Sequence, residues 1–426
     1  MKRFCAVLLI LIGAFAALWA ATDYASSVRL DMRSSTAKQA VTVKMFIDGD
    51  TTHFFVPESV SATGVLKARY LAVNTPESTG RVEEYGKKAS AFTREKLTNA
   101  QSIIIESDDS NWNLDSTGGR YLVWVWYRNS ENEEYRNLNI ELLQNGLAIA
   151  SSSANNRYGT VCMAAINQAR EQKLNVYSGQ KDPDFYYGDA IELTLHGLRT
   201  DISLYEGKKV AFEGVVTMND GSSVYVEEFD PESGMYNGIS VYYGYNLSAT
   251  GLDIISVGNR CRIVGTLQYY EAGGVWQISG LNYKMMKPKD PGNIQKISSG
   301  HQGAFVDTEP SVFFSKVTLT DEDGQSKQFD YAYLAMDTTI TMDGLYVKSV
   351  STTSDPDSSN YGAMTLHCVA GGYEIQVRTA VLTENRQLVT SYAYLGHTIT
   401  VRGLVGLYNG SYQIKVLTQK DITIEK

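Results

Sequence analysis

The sequence predicts a mainly β protein whose few helices are confined to its first part, and three observations predict it. Residues 40–73 alternate apolar and polar positions, in VTVKMFIDGDTTHFFV and then VLKARYLAV, with an Asp-Gly turn signal at Asp48 and Gly49. The period then lengthens in EYGKKASAFTREKL, where Ala89, Phe92 and Leu97 share a side opposite the charges, as an amphipathic helix requires. Further on, one pattern recurs: GKKVAFEG at Gly207–Gly214, GNRCRIVG at Gly258–Gly265 and GHTITVRG at Gly396–Gly403. Each places glycines seven apart around an alternating strand.

Taken in order, the first unit continues with the strands SIIIE and RYLVWVWY and two more helical stretches, NLNIELLQNG and MAAINQAREQKL. This is a small barrel-like sheet with about three helices, spanning residues 40–180. GQKDPDFYYGD reads as a linker, with its proline and acidic residues. Beyond it the second and third glycine patterns are followed by similar endings, LQYYEAGGVWQISGL and LVGLYNGSYQIKVL, so the rest divides into two copies of one unit, 186–290 and 300–426. Gly-bounded strands at the start and near the end of a unit of about 100 residues resemble the five-stranded OB barrel, in which glycine lets a strand turn a corner. The last two strands carry the likeness in the second copy.

The N-terminus supplies a localisation. Lys2 and Arg3, an apolar run and small residues at Ala20 and Ala21 follow the order of a secretory signal, so residues 1–20 are expected to be an export signal and 21–39 a linker. The expected place is secreted or extracellular, with association to the cell surface as an extension. No second apolar stretch of spanning length follows, so no transmembrane domain is expected once the signal is cleaved. Without Cys5, the set Cys162, Cys261 and Cys368 is odd and widely spaced; it forms no disulfide framework and reads as small buried hydrophobes. The five histidines show no ligand spacing, which argues against a histidine-based zinc site. The net charge of −9 is uneven: residues 22–185 carry −2 and residues 186–426 carry −9. An acidic C-terminal part is a poor surface for holding phosphates by counterion release.

Taken singly, the charged motifs are ordinary. DGDT at Asp48–Thr51 is a hairpin turn, Thr75-Pro76-Glu77 starts a helix, and Arg120 in DSTGGRYLVWVW opens a strand. Their order is not ordinary: DGDT, a strand ending in Arg69 with Asn74-Thr75-Pro76-Glu77 after it, EYGKKASAFT opening a helix, Asp115 and Arg120 before an apolar strand, LLQNGLA, and QKLNVYS. From about Thr42 to Ser178 the chain resembles the staphylococcal nuclease family.

The resemblance implies a calcium-dependent nuclease that hydrolyses DNA, with RNA as a second substrate candidate, shows little sequence preference and leaves 3′-phosphate ends. It carries Arg69 and Arg120 onto the catalytic arginines and Glu77 onto the catalytic glutamate. Asp50 and the backbone carbonyl of Thr75 fall on Ca²⁺ ligands, and Asn74 stands where the family has a second metal aspartate. The chemistry agrees independently. Phosphodiester cleavage builds negative charge on phosphorus oxygens while water attacks, so cations and a base are needed together. Arginine keeps its charge and grips phosphate with a planar fork. Asn74 keeps an oxygen donor but removes a charge, which implies weaker or altered ion binding. The arginine loop DSTGGR is one residue longer than the family's, and SSSANN at Ser151–Asn156 replaces a tyrosine-rich base-stacking segment.

A second reading is a non-catalytic extracellular module for nucleic acid or cell surface; retention of Arg69, Glu77 and Arg120 together weighs against it. A third puts binding in the C-terminal barrels, where Tyr225, Tyr242, Tyr243, Tyr269, Tyr270 and Trp276 offer stacking faces for bases or carbohydrate. Core and cross-strand packing is the simpler account of those aromatics.

Overall fold

The computed structural model describes residues 21–425 except 245, 246, 248, 272, 321–324 and 356–357. The expected export signal and Cys5 lie outside the described residues.

Three five-stranded units follow one another along the chain. The first contains β1 (Lys38–Phe46), β2 (Thr51–Phe55), β3 (Val65–Tyr70), β4 (Ser102–Glu106) and β5 (Tyr121–Arg128). β1 pairs with β2 and β2 with β3, both antiparallel; β3 runs parallel to β5; β5 pairs with β4, and β4 returns to β1. The ladder therefore closes on itself, which removes every sheet edge.

The second unit repeats this order with β6 (Lys209–Asn219), β7 (Ser223–Asp230), β8 (Met235–Tyr242), β9 (Asn259–Tyr270) and β10 (Val275–Ser279). The third repeats it again with β11 (Thr339–Thr352), β12 (Met364–Ala370), β13 (Tyr373–Thr379), β14 (Thr398–Tyr408) and β15 (Ser411–Val416). All three are closed barrels of OB type.

One device closes each barrel. The first strand must serve two partners, and in each unit its pairing with the second strand slips by a bulge: between Val43 and Met45, between Val216 and Met218, and between Val347 and Ser349. A bulge sharpens the local twist, so the far half of the strand swings onto the fourth. The seven-residue glycine pattern has a matching cause. Gly258 enters its strand with φ +87°, and a Cβ at Gly265 would lie 2.7 Å from the Ser279 carbonyl oxygen of the neighbouring strand. The first glycine supplies a left-handed entry and the second a close approach.

The first barrel is filled from β5, whose run LVWVWY buries Trp124, Trp126 and Tyr127 against Phe54, Leu66 and Ile105. Helices α1 (Gly86–Thr98), α2 (Leu138–Gln144) and α3 (Gly159–Glu171) cover it, with α2 capped by the Asn137 side chain accepting from the Ile140 N–H at 3.0 Å. Ala89 and Leu97 of α1 are buried, as the spacing requires, and Phe92 is half-buried. Cys162, Cys261 and Cys368 are free and buried. In the segment read as a linker, Asp182 is buried and accepts the Tyr85 N–H at 2.6 Å, just ahead of α1.

The second and third barrels meet through buried polar groups. Glu227 accepts the N–H groups of Ala304 at 2.7 Å and Thr339 at 2.6 Å. Arg199 faces Asp337 at 3.7 Å, and Asp337 also accepts the Ser240 N–H at 2.9 Å. Of the C-terminal aromatics, Tyr225 and Tyr243 are buried, Tyr269 packs across the ladder on Trp276 with ring centroids 5.1 Å apart, and both Tyr269 and Tyr270 are exposed. No described helix is long and apolar enough to cross a membrane.

Candidate active site

The site grows from the turn between β1 and β2. The N–H groups of Ile47 and Asp48 donate to the Thr51 carbonyl, and the Asp48 side chain accepts the Asp50 N–H at 3.0 Å. Aspartate is favoured in such turns because its short carboxylate can bond the backbone two residues on. The turn is pressed into place from outside. Thr93 of α1 donates to the Gly49 carbonyl at 2.6 Å, and a Cβ on Gly49 would come within 2.9 Å of Ala89 and 2.8 Å of Thr75. With no room to move, the turn aims Asp50 inward, where it is fully buried. One carboxylate oxygen accepts the Thr75 N–H at 2.7 Å and the other the Thr51 hydroxyl at 3.1 Å.

Arg69 lies opposite Thr51 in the ladder, so β3 delivers it to the same end of the barrel. Its side chain is 16% exposed. The guanidinium pairs with Asp50 and donates to the Asn74 side-chain oxygen at 2.6 Å. Arg120 directly precedes β5, and the parallel pairing of Ala68 with Tyr121 brings it beside Arg69. It donates from Nε to Asp115 at 2.7 Å. Against partial burial, hydrogen bonds from Thr117 and Arg120 bring Asp115 down to about 2, so it is a carboxylate at neutral pH.

Glu77 is solvent-accessible at the rim. Desolvation by the surrounding protein and the negative charge of Asp48 push its pKa up, while Arg69 and Arg120 pull it down. Burial raises Asp48 in turn, against the pull of Arg69 and Arg120. Two carboxyls and two guanidiniums thus act on one another within one neighbourhood. The Glu77 backbone is fixed: its N–H donates to the Glu83 carboxylate at 3.1 Å, and its carbonyl accepts the Glu83 N–H at 2.9 Å. Gly86 passes so close that a Cβ there would fall 2.1 Å from the Glu77 carbonyl oxygen.

The six residues singled out from the sequence are therefore gathered at one end of the first barrel. Asp50 and Asn74 supply side-chain oxygens and Thr75 a backbone carbonyl, the hard donors that suit a calcium ion. No group of three or more His, Cys, Asp or Glu side chains in a metal-binding arrangement occurs among the described residues. In this conformation the Arg69 fork occupies oxygens of both Asp50 and Asn74. Asp48 was missed as a member of the site: DGDT announces its turn role, and only the fold shows that its charge also acts on Arg69 and Glu77.

Glu77 also edges a cleft of about 1140 Å³ between the first barrel and the other two, with Arg94, Tyr269 and Lys415 among its walls. Its walls carry more carboxyl than cationic side chains.

The first domain is thus a closed OB barrel with two arginines and several carboxylates gathered at one end. Residues 67–179 match the family described as staphylococcal nuclease homologue. The chain is 32% identical over 139 residues to the thermonuclease of Staphylococcus intermedius, covering 32% of this chain and 74% of that protein. It is likewise 32% identical over 149 residues to the thermonuclease of Staphylococcus hyicus, covering 34% and 79%. The chain belongs to the staphylococcal nuclease family, and its first barrel is a nuclease domain.

Proposed function

We propose that the protein is an exported, calcium-dependent nuclease that hydrolyses DNA with little sequence preference and leaves 3′-phosphate ends. The observation that carries this reading is the convergence of Arg69, Arg120 and Glu77 around the Asp48–Asp50 turn. Arg69 and Arg120 hold the phosphate and neutralise the charge that grows on its oxygens, and Glu77 takes the proton of the attacking water. Asp50, Asn74 and the Thr75 carbonyl would hold the calcium ion, which when bound would supply further positive charge at the phosphate. Arg69 has to leave Asp50 and Asn74 for those oxygens to serve an ion, and that departure frees its fork for phosphate. The N-terminal segment of the sequence supports export, and a calcium-rich exterior suits a site short of one carboxylate.

The test is digestion of end-labelled DNA with and without Ca²⁺, followed by identification of the product termini. Chelation should abolish cleavage. Glu77→Gln should lower kcat by roughly 10²–10⁴-fold with the fold intact. Full activity in that variant removes Glu77 as the base, and full activity after chelation removes the ion.

A further inference from the structure

The loop Ser78–Arg81 connects Glu77 to the approach to α1, and it is held by the second barrel. Gln268 of β9 donates from Nε2 to the Ser78 carbonyl at 3.0 Å. Ser279 of β10 has its hydroxyl 2.8 Å from the Gly80 carbonyl and also in contact with Gln268 Oε1. Ser279 is fully buried and Gln268 nearly so. Buried polar groups need partners, and the ones these two find outside their own barrel are backbone carbonyls of the glutamate's loop. Two further contacts flank them. A Cβ on Gly280 would meet the Gly80 carbonyl oxygen at 3.4 Å, and Arg94 of α1 pairs with Glu271 at 2.6 Å.

A connecting loop is ordinarily among the least stable parts of a fold. Here its inner end is closed by the Glu77–Glu83 bonds and its outer face is tied to a separate barrel. We infer that Gln268 and Ser279 are positioning residues for Glu77: the second barrel fixes the loop from which the glutamate reaches the attacking water. This inference rests on the reading of Glu77 as the base. It gives the C-terminal region a part in turnover that requires no nucleic-acid contact from that acidic region.

The test uses the full chain. Gln268→Met keeps the side-chain length without the donor, and Ser279→Ala removes only the hydroxyl. In the double variant kcat on DNA should fall by roughly ten- to a hundredfold, the scale of a misplaced catalytic group, while KM changes less than about twofold. Ser279→Ala alone, a small truncation that should keep the fold, should show the same split with a smaller loss. Repeated in the Glu77→Gln background, the double substitution should cost nothing further, because the group it positions is already gone. An unchanged kcat, a loss expressed only in KM, or an equal loss in both backgrounds would overturn the inference. Full activity of Glu77→Gln by itself would instead strike out the base.

Discussion

The first and second barrels are built on the same closed strand order and the same bulged first strand, yet they use buried charge for opposite ends. In the first, Arg69 is held by Asp50 and Asn74 at the rim, where its side chain is 16% exposed, and the proposed mechanism redirects it onto a phosphate. In the second, Arg199 is 3% exposed and wedged between Asp337, the Gly238 carbonyl and the ring of Tyr333. A Cβ on Gly238 would come within 2.8 Å of the Asp337 backbone, so the two chain segments there are in direct contact. Topology alone does not decide which barrel does chemistry. The difference lies in whether the charged cluster opens onto solvent or onto another barrel.

That contrast can be broken most forcefully at Arg199. Arg199→Met strands Asp337 as a buried unpaired charge and should destabilise the chain by about 3–5 kcal/mol, read as a lowered denaturation midpoint. Removing both charges, Arg199→Met with Asp337→Asn, should recover much of the loss, because no buried charge is left unpaired while the amide keeps an acceptor for the Ser240 N–H and suits the left-handed backbone there, φ +64°. At the first barrel the comparable substitution changes function rather than stability. Asn74→Asp adds a carboxylate beside Asp50 and should tighten calcium binding by roughly tenfold, the scale on which ligand charge and its surroundings tune metal sites. Calorimetric titration with Ca²⁺ reads this directly, and equal affinities in the two proteins would remove Asn74 from the ion's surroundings.

How far the sequence revealed these features follows from their range. The nuclease barrel was legible because its signals are local: alternating strands, the DGDT turn, and an amphipathic helix whose Ala89 and Leu97 are indeed buried. The resemblance to a known family then tied Arg69, Glu77 and Arg120 into one site. The two later barrels were legible through glycines, since Gly258 and Gly265 are demanded by backbone geometry that no other residue supplies as easily. Three things were hidden, and each depends on contacts that no local pattern announces. Arg69 rests on Asp50 and Asn74, an arrangement set by how β2 and β3 end together. Glu227 reads as an ordinary strand glutamate until the third barrel brings Thr339 against it. Gln268 and Ser279 carry no motif, and their importance comes from a loop nearly two hundred positions earlier.

The smallest expected effect tests whether the joint between the second and third barrels is ionised. Desolvation raises the Glu227 carboxyl above its ordinary 4.5, against the pull of hydrogen bonds from Ala304 and Thr339. The sign of the consequence is fixed by linkage. As pH rises past 4.5 the unfolded chain releases this proton first, while the folded chain still holds it. Folding stability from this group is therefore greatest on the acid side and declines until the folded carboxyl ionises as well. Each unit of difference between the two pKa values is worth about 1.4 kcal/mol at most. Thermal melts of the native chain and of Glu227→Gln, recorded in parallel from pH 4 upward, isolate the contribution because every other group is common to both. The native midpoint should fall relative to the variant's as pH rises above 4.5. A native midpoint that instead rises relative to the variant's would mean that the hydrogen bonds from Ala304 and Thr339 hold Glu227 as a carboxylate below 4.5, which would make this joint electrostatically like the Arg69–Asp50 pair rather than its counterpart.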